Sequence, residues 1–170
     1  GARVPPGTVG ELVIRGPHVM QGYWRDPAAT ERALKAGPHL WERVLQTGDL
    51  FRADAEGFLY FVGRKDDIIK SRGEKVSPKE VENVLYALPG VREAAVVGTP
   101  DPVLGQAVKA VVALEPGAAL SMEDVIRHAA RHLEDFMVPK TVEFRAELPK
   151  SENGKINRRM IAETELGVAP

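Results

Sequence analysis

The sequence predicts an α+β protein made of two parts, and three observations lead to that prediction. Residues up to Gly63 are patterned mostly as strands and turns. Those after it alternate strands with helices. Between the two, the highly charged segment GRKDD (Gly63–Asp67) separates two apolar runs, as an exposed linker or an ordinary exposed turn would. We therefore predict two domains, residues 1–63 and 64–170.

The first part is predicted to contain a strand, a helix and a hairpin. The β-branched residues of GELVIRG indicate the strand. In DPAATERALKAG, Asp26 is placed to cap a helix, Pro27 to occupy its first turn and Gly37 to end it. Asp54 and Gly57 have the spacing of the two ends of a four-residue turn, so TGDLFRADAEGFLYFVG predicts a hairpin.

The second part predicts helices on a roughly three-stranded sheet. SPKE is a capping box that begins one helix, Ser121 begins another, and a short helix follows Asn157. Apolar residues recur at helical spacing in the first two helices: Val81, Val84, Leu85 and Leu88, then Met122, Val125, Ile126, Ala129 and Leu133. The strands are VREAAVVG, GQAVKAVVALEPG and KTVEFRAEL. In the last strand, alternation points Val142 and Phe144 inward, and Glu143 and Arg145 outward.

The composition argues against several classes of function. The 23 lysines and arginines nearly balance the 24 aspartates and glutamates, so no global charge attracts nucleic acid or anionic lipid. With no cysteine, the chain has no disulfide, thiolate metal site or cysteine nucleophile, which fits a reducing compartment. No apolar run approaches the roughly 18 residues of a membrane span, and no leader pattern opens the chain. We expect a cytoplasmic protein, and a chain starting at Gly1 to be a processed or excised piece.

Asp49 and Arg64 are the candidate nucleotide-binding residues of the first part. In QTGDLF, Asp49 follows a turn-forming Thr-Gly pair at a strand end. A carboxylate only accepts hydrogen bonds, so its two oxygens suit the vicinal hydroxyls of a ribose. Arg64 could add a cationic fork for ribose or phosphate. A turn cap for Asp49 and a surface salt bridge for Arg64 are the alternatives.

Basic residues of the second part form two further candidate sites. In IIKSRGEKVSP, Lys70, Arg72 and Lys75 surround Gly73, a pattern that suits an anionic ligand or ordinary solvated charge. Lys155 follows Gly154 in the polar stretch LPKSENGKINRR, where a solvated charge is the ordinary interpretation.

Two other patterns carry no site prediction. His128 and His132 lie four residues apart on a helix, but they lack a third ligand nearby, so we expect no metal site. The basic tail residues Lys150, Lys155, Arg158 and Arg159 lack the interleaved aromatics of a nucleic-acid-binding segment.

Taken in order, four segments resemble the carboxyl-terminal part of an adenylate-forming enzyme: GELVIRGPHVMQGYWRDPAAT, TGD, GRKDDIIKSRGEKVSPKEVE and LPKSENGKINRR. That superfamily includes acyl-CoA synthetases, luciferase and the adenylation domains of nonribosomal peptide synthetases. The resemblance covers nearly all the chain. It implies that residues 1–63 are the last β-rich, barrel-like subdomain of a large amino-terminal domain. Residues 64–170 would be a small mobile carboxyl-terminal domain, with a three-stranded sheet, flanking helices and a short hairpin, and a hinge near 64–67.

The resemblance also implies roles for individual residues. Asp49 would hold the ribose hydroxyls of ATP with help from Arg64, and Asp66 would be the hinge. Lys155 would be the catalytic residue, placed between the acid carboxylate and the α-phosphate during adenylation.

The resemblance implies further roles for the basic hairpin. Gly73 and Arg72 would line the tunnel for the pantetheine of CoA, and Lys70 would contact substrate or phosphate. Lys75 would contact ATP or AMP, although the family often has arginine or glutamine at that position.

The implied activity is that of an AMP-forming acyl-CoA synthetase, as in fatty acid metabolism. A carboxylic acid, ATP and CoA would give acyl-CoA, AMP and pyrophosphate through an acyl-adenylate, with Mg²⁺ bound mainly by the amino-terminal adenylating domain. That domain would be the chain's partner. The family's phosphate loop has no counterpart in these residues, so we expect the isolated chain to be inactive. Transfer to a phosphopantetheinyl carrier protein, or a non-catalytic regulatory or interaction module, are the alternatives. The acid itself is not encoded in these residues.

Overall fold

The computed structural model describes residues 3–165, and the chain divides into two compact units, Gly1–Asp66 and Asp67–Pro170. The division falls inside the segment where the hinge is predicted. The assignment of the two units to domains of a larger enzyme stays a prediction. The fold itself is α+β, as expected, with four α-helices and two sheets in the described part of the chain.

The first unit is built around one long strand. Its elements are β1 (Val9–Arg15), α1 (Pro27–Ala33), β2 (Leu34–Ala36), β3 (Arg43–Ala53) and β4 (Leu59–Arg64). Strand β3 pairs antiparallel with β1, β2 and β4, so it is the centre of a four-stranded sheet. The predicted strand and hairpin of this unit are confirmed.

Helix α1 begins where predicted but ends early. Asp26 Oδ1 accepts a hydrogen bond from the Ala29 amide at 2.8 Å, and Pro27 occupies the first turn. The helix stops at Ala33, and Leu34–Ala36 pair with β3 instead. The prediction that Gly37 ends the helix is therefore wrong. Burial of Leu34 against the sheet outweighs the helix propensity of these residues.

The turn between β3 and β4 is held by one aspartate. Asp54 Oδ1 accepts hydrogen bonds from the amides of Glu56 and Phe58, at 3.0 and 2.9 Å. Gly57, with a φ of 91°, donates its amide to the Asp54 carbonyl oxygen. Both ends of the turn are thus the residues that the sequence indicated.

The second unit contains the larger core. A short 3₁₀ turn, Lys65–Asp67, spans the division between the units. It is followed by β5 (Ile69–Ser71), β6 (Glu74–Val76), α2 (Pro78–Tyr86), β7 (Val91–Asp101), β8 (Gly105–Leu114), α3 (Met122–Ala130), β9 (Thr141–Phe144) and α4 (Arg158–Glu165). Strand β8 pairs antiparallel with β7 and parallel with β9, which gives the predicted three strands. The β5–β6 hairpin joins β8 through a single pairing, Ser71 with Gly105.

Both faces of this sheet are covered. Ala94 and Val96 of β7 face a core that includes residues of α2 and α3. Their neighbours Ala95 and Val97 face a second core that includes Leu148 and Ile161, the latter from α4. Because side chains alternate along a strand, one apolar run fills both cores. Helix α4 is thereby fixed on the opposite face from α2 and α3.

One predicted feature of β9 is wrong. Val142 packs against the core, but Phe144, predicted to point inward, is 39% exposed at the end of this four-residue strand. Glu143 is not simply solvated either, because it pairs with Lys109 Nζ at 2.7 Å and Arg145 Nε at 2.5 Å. These hydrogen bonds, chiefly that from Arg145, lower the pKa of Glu143 to about 2.

Candidate functional site

Asp49 and Arg64 are brought together by strand pairing. They are cross-strand partners in the β3–β4 ladder, and Arg64 Nη1 donates to Asp49 Oδ1 at 2.7 Å. The same nitrogen donates to the Thr47 carbonyl oxygen at 3.0 Å. Both side chains remain partly exposed, at 31% for Asp49 and 46% for Arg64. The first unit therefore presents a carboxylate and a guanidinium side by side, with their relative orientation already set.

Glu11 supports this site and was not identified from the sequence. It lies in β1, where its Oε1 accepts the Gly48 amide at 3.2 Å and its Oε2 accepts Lys65 Nζ at 2.9 Å. Gly48 has a φ of 72°, and a Cβ there would come within 3.1 Å of Arg64 Nη2. The hydrogen bond from Lys65 lowers the pKa of Glu11 below its usual range. Glu11 thus connects the irregular part of β3 before Asp49 to Lys65, the residue before Asp66.

Asp66 is the last residue of the first unit. It is exposed and lies at the centre of the Lys65–Asp67 3₁₀ turn. Asp67, which begins the second unit, has its Oδ2 3.5 Å from Arg158 Nη1. The chain therefore leaves the first unit through one short turn, and its next residue is already in contact with a side chain of the second.

The basic hairpin places its charges on one face. Lys70 and Lys75 are cross-strand partners and are exposed, while Ile69 and Val76 are buried. Like charges directly opposite each other are unfavourable unless an anion lies nearby. The structure thus brings these two candidate residues together on adjacent strands, and their contact with an anion stays a prediction.

The hairpin turn itself is formed by Arg72 and Gly73. Both have left-handed backbones, with φ values of 55° and 83°, which is the geometry of a two-residue type I′ turn. The Arg72 amide donates to the Leu104 carbonyl oxygen at 3.0 Å. A Cβ on Gly73 would meet no atom within 4 Å, so its backbone conformation is what favours glycine here.

Lys155 lies on an exposed loop held by its own backbone. Its carbonyl oxygen accepts from the Ser151 amide at 2.8 Å and from Ser151 Oγ at 3.2 Å. Gly154, with a φ of 74°, donates its amide to the Ser151 carbonyl oxygen at 2.8 Å. Within residues 3–165, the Lys155 ammonium makes no hydrogen bond or ion pair. The loop is thus ordered at its base while its cation is uncommitted.

Two carboxylates hold the ends of this loop, and neither was predicted from the sequence. Glu93 of β7 pairs with Lys150 Nζ at 2.6 Å and accepts the Leu148 amide at 3.5 Å. Glu82 of α2 receives Arg158 at the other end. A signal for Glu82 was present, because Pro78, Val81, Glu82 and Leu85 share the spacing of one helix face, and all four are buried. In the sequence, Arg158 stands out only as one of the basic tail residues.

The two histidines lie against backbone carbonyl oxygens of the helices. His128 Nε2 lies 3.0 Å from the Val84 carbonyl oxygen, and His132 Nδ1 lies 2.9 Å from the His128 carbonyl oxygen. In the part of the chain that the structure describes, no three His, Cys, Asp or Glu side chains are grouped to hold a metal ion. None of the described helices is long and apolar enough to cross a membrane.

A shallow cleft of about 670 Å³ also opens in the first unit, beside Met20 and Trp41. Neither Asp49 nor Arg64 lines it. It is therefore separate from the nucleotide-binding candidates.

Solved structures define the class to which this fold corresponds, the adenylate-forming enzymes. ATP-bound MatB from Rhodopseudomonas palustris matches with a TM-score of 0.86 and 33% identity, over 98% of this chain and 32% of that chain. The amide bond synthetase McbA from Marinactinospora thermotolerans matches with a TM-score of 0.85 and 39% identity, over 96% of this chain and 32% of that one.

Sequence comparison gives the family. Residues 80–155 match the AMP-binding enzyme C-terminal domain. A long-chain-fatty-acid–CoA ligase of Escherichia coli O6:H1 is 46% identical over 164 residues, 96% of this chain and 28% of the relative. A feruloyl-CoA synthase of an Amycolatopsis species is 42% identical over 156 residues, 92% of this chain and 30% of the relative. The chain belongs to the adenylate-forming, AMP-binding enzymes and corresponds to their C-terminal portion. It spans less than a third of the length of these relatives.

Proposed function

We propose that the protein is an ATP-dependent, AMP-forming acid–CoA ligase, and that Lys155 is the catalytic residue contributed by this chain. The observation that carries the proposal is the exposed Lys155 ammonium, which has no partner within residues 3–165, on a loop whose backbone is hydrogen-bonded. The names of the relatives, a long-chain-fatty-acid–CoA ligase and a feruloyl-CoA synthase, support formation of a CoA thioester from a carboxylic acid.

A cation of this kind suits adenylation. When a carboxylate attacks the α-phosphate of ATP, two anions approach each other, and their repulsion grows as water is excluded. An ammonium between them stabilises the charge that develops in the transition state more than the charge of the separate reactants. Lys155 can take that position because it has no competing carboxylate among the described residues.

Asp49 and Arg64 suit the nucleotide. The Asp49 carboxylate would accept hydrogen bonds from the ribose hydroxyls of ATP, and Arg64 would orient it and contact ribose or phosphate. Their 2.7 Å pairing supports this role, because it sets the carboxylate before the nucleotide arrives. The binding free energy is then not spent on ordering these two side chains.

The turn suits the movement between the two steps, and the hairpin suits contact with phosphate groups and with CoA. Asp66 would be the hinge about which the second unit moves, so that Lys155 leaves and the hairpin approaches the adenylate. The exposed Lys70 and Lys75 would contact phosphate groups, Lys75 those of ATP or AMP, and their close pairing supports an anionic ligand. Arg72 and Gly73, at the tip of the hairpin, would line the path of the pantetheine thiol of CoA.

The remaining components come from outside these residues. Magnesium would neutralise the triphosphate, and the amino-terminal adenylating domain would hold it. That domain would also supply the acid pocket. A cytoplasmic location would fit the absence of cysteine from the sequence.

The test is an assay of the intact protein with Mg²⁺, ATP and carboxylic acids from aromatic to long-chain. We expect acid-dependent exchange of pyrophosphate into ATP, followed by thioester formation with free CoA. If pyrophosphate exchange occurs but a thioester forms only on a phosphopantetheinyl carrier protein, the acyl acceptor is the carrier protein and not CoA. Absence of exchange with every acid would overturn the proposal in favour of a non-catalytic module.

A further inference from the structure

We propose that Glu82 and Arg158 are positioning residues that fix the Lys155 loop on the second unit. The inference rests on the proposed function, because it concerns the same lysine. It adds a role for two residues that belong neither to the nucleotide-binding pair nor to the basic hairpin.

Glu82 is a buried carboxylate with a complete set of partners. Its side chain is only 2% exposed. Glu82 Oε1 accepts Arg158 Nε at 2.8 Å and the Val96 amide at 3.0 Å, and Oε2 accepts Arg158 Nη2 at 2.6 Å. A bidentate carboxylate–guanidinium pair fixes the guanidinium in both position and plane. Arg158 is therefore held against α2 and β7 at one defined point.

Arg158 lies next to the Lys155 loop, so fixing Arg158 also fixes one end of that loop. It is the first residue of α4 and lies three positions after Lys155. Behind it, Ile161 is fully buried in the second core. The opposite end of the loop is held by the Lys150–Glu93 pair and by buried Leu148. Residues 152–155 between these ends are exposed. The two anchors thus limit where the Lys155 side chain can reach.

The same guanidinium also contacts the segment after the proposed hinge. Arg158 Nη1 lies 3.5 Å from Asp67 Oδ2, and Asp67 is the first residue of the second unit. The Glu82 carboxylate raises the pKa of Arg158, so the cation is maintained. A buried ion pair is often no more stabilising than apolar residues of similar size. We therefore assign this pair to the orientation of the Lys155 loop and not to the stability of the fold.

The first experiment measures amide hydrogen exchange in this chain. Arg158→Lys keeps the charge but loses the bidentate fork. We expect the Ser151, Gly154 and Asn157 amides, which close the loop, to exchange about tenfold faster or more. Arg159→Lys is the matched control, because Arg159 pairs with Glu163 on the same helix but is 87% exposed. In Arg159→Lys, the amides of the Lys155 loop should exchange at the same rates as in the unmodified chain.

A second variant separates positioning from stability. Replacing Glu82 and Arg158 both by glutamine removes both charges and the bidentate fork, while the amide oxygen introduced at position 82 still accepts the Val96 amide. We expect a melting temperature close to that of the unmodified chain, with faster exchange in the loop. Unchanged loop exchange in this variant and in Arg158→Lys would overturn the inference.

The catalytic consequence is measured in the intact enzyme. We expect Arg158→Lys to lower kcat for adenylation at least fivefold while leaving KM for ATP unchanged, since the nucleotide-binding pair is untouched. A loosened loop with unchanged kcat would overturn the positioning role. No adenylation by the unmodified enzyme would instead overturn the proposed function, and the exchange results would still decide whether the anchors hold the loop.

Discussion

The two candidate sites of this chain differ in how far they are assembled. In the first unit, Asp49 and Arg64 are already hydrogen-bonded to each other, and Glu11 accepts a hydrogen bond from the Gly48 amide beside them. In the second, the Lys155 backbone is anchored but its ammonium has no partner within the described residues. A group that binds substrate in every state gains from being fixed in advance. A group needed in one step of two must keep its charge available for that step.

The largest effect should follow from removing the uncommitted cation. Lys155→Ala should slow adenylation by about 10²–10³-fold, the usual loss when one donor to a developing charge is deleted. Thioester formation from supplied acyl-adenylate should change little. Pyrophosphate exchange and single-turnover thioester assays measure the two steps separately. Lys140→Ala is the control, because Lys140 already pairs with Asp101. Equal losses in both steps would contradict the role given to Lys155.

A smaller and different effect should follow from disrupting the preassembled pair. Asp49→Ala should lower kcat/KM for ATP by about 10–100-fold, the worth of hydrogen bonds to a charged group, mostly through KM. Initial rates at varied ATP concentration check this. Asp54→Ala removes another carboxylate of the same unit, one that holds the β3–β4 turn, and should affect stability instead. A normal KM for ATP in Asp49→Ala would exclude the ribose role.

The connection between the units should show a selective effect. Asp66→Pro fixes φ near −65° and should slow thioester formation by about tenfold, or about 1.4 kcal/mol of added barrier, while sparing adenylation. Asp66→Ala leaves φ free and should support both steps. If the proline variant lost adenylation instead, the turn would not be acting as a hinge.

The smallest effect concerns the carboxylates that brace each site. Hydrogen bonds from Lys65 and Lys150 lower the pKa of Glu11 and Glu93, respectively, below the usual 4.5. Each contact therefore stabilises the fold above that pH and is lost as the pH falls through the lower value of the folded state. By NMR titration, Lys65→Met should raise the pKa of Glu11 alone, and Lys150→Met that of Glu93 alone. Coupled changes would show that the two braces are not independent.

The local sequence pattern predicted helix starts and turns well, because one or two residues determine where each of them lies. Asp26 and Pro27 begin a helix, Asp54 and Gly57 form the hairpin turn, and Asn157 precedes the last helix, as expected. The prediction was wrong where the tertiary structure decides at which residue a helix or strand ends. Leu34 leaves the helix because β3 offers it a strand to pair with, and Phe144 is exposed because its strand ends there.

The site shows the same division. The motifs around Asp49, Arg64 and Lys155 follow from the order of residues, because a carboxylate after a Thr-Gly pair or a lysine after glycine is visible in the sequence itself. The strand end predicted at Asp49 is wrong, since Asp49 lies inside β3, where the pairing with β1 changes register. Their supports are not visible in this way. Glu11 lies 37 positions from Gly48, and Glu82 lies 76 positions from Arg158. Only the folded chain brings these charges together, and a carboxylate that folding buries is costly unless it is paired.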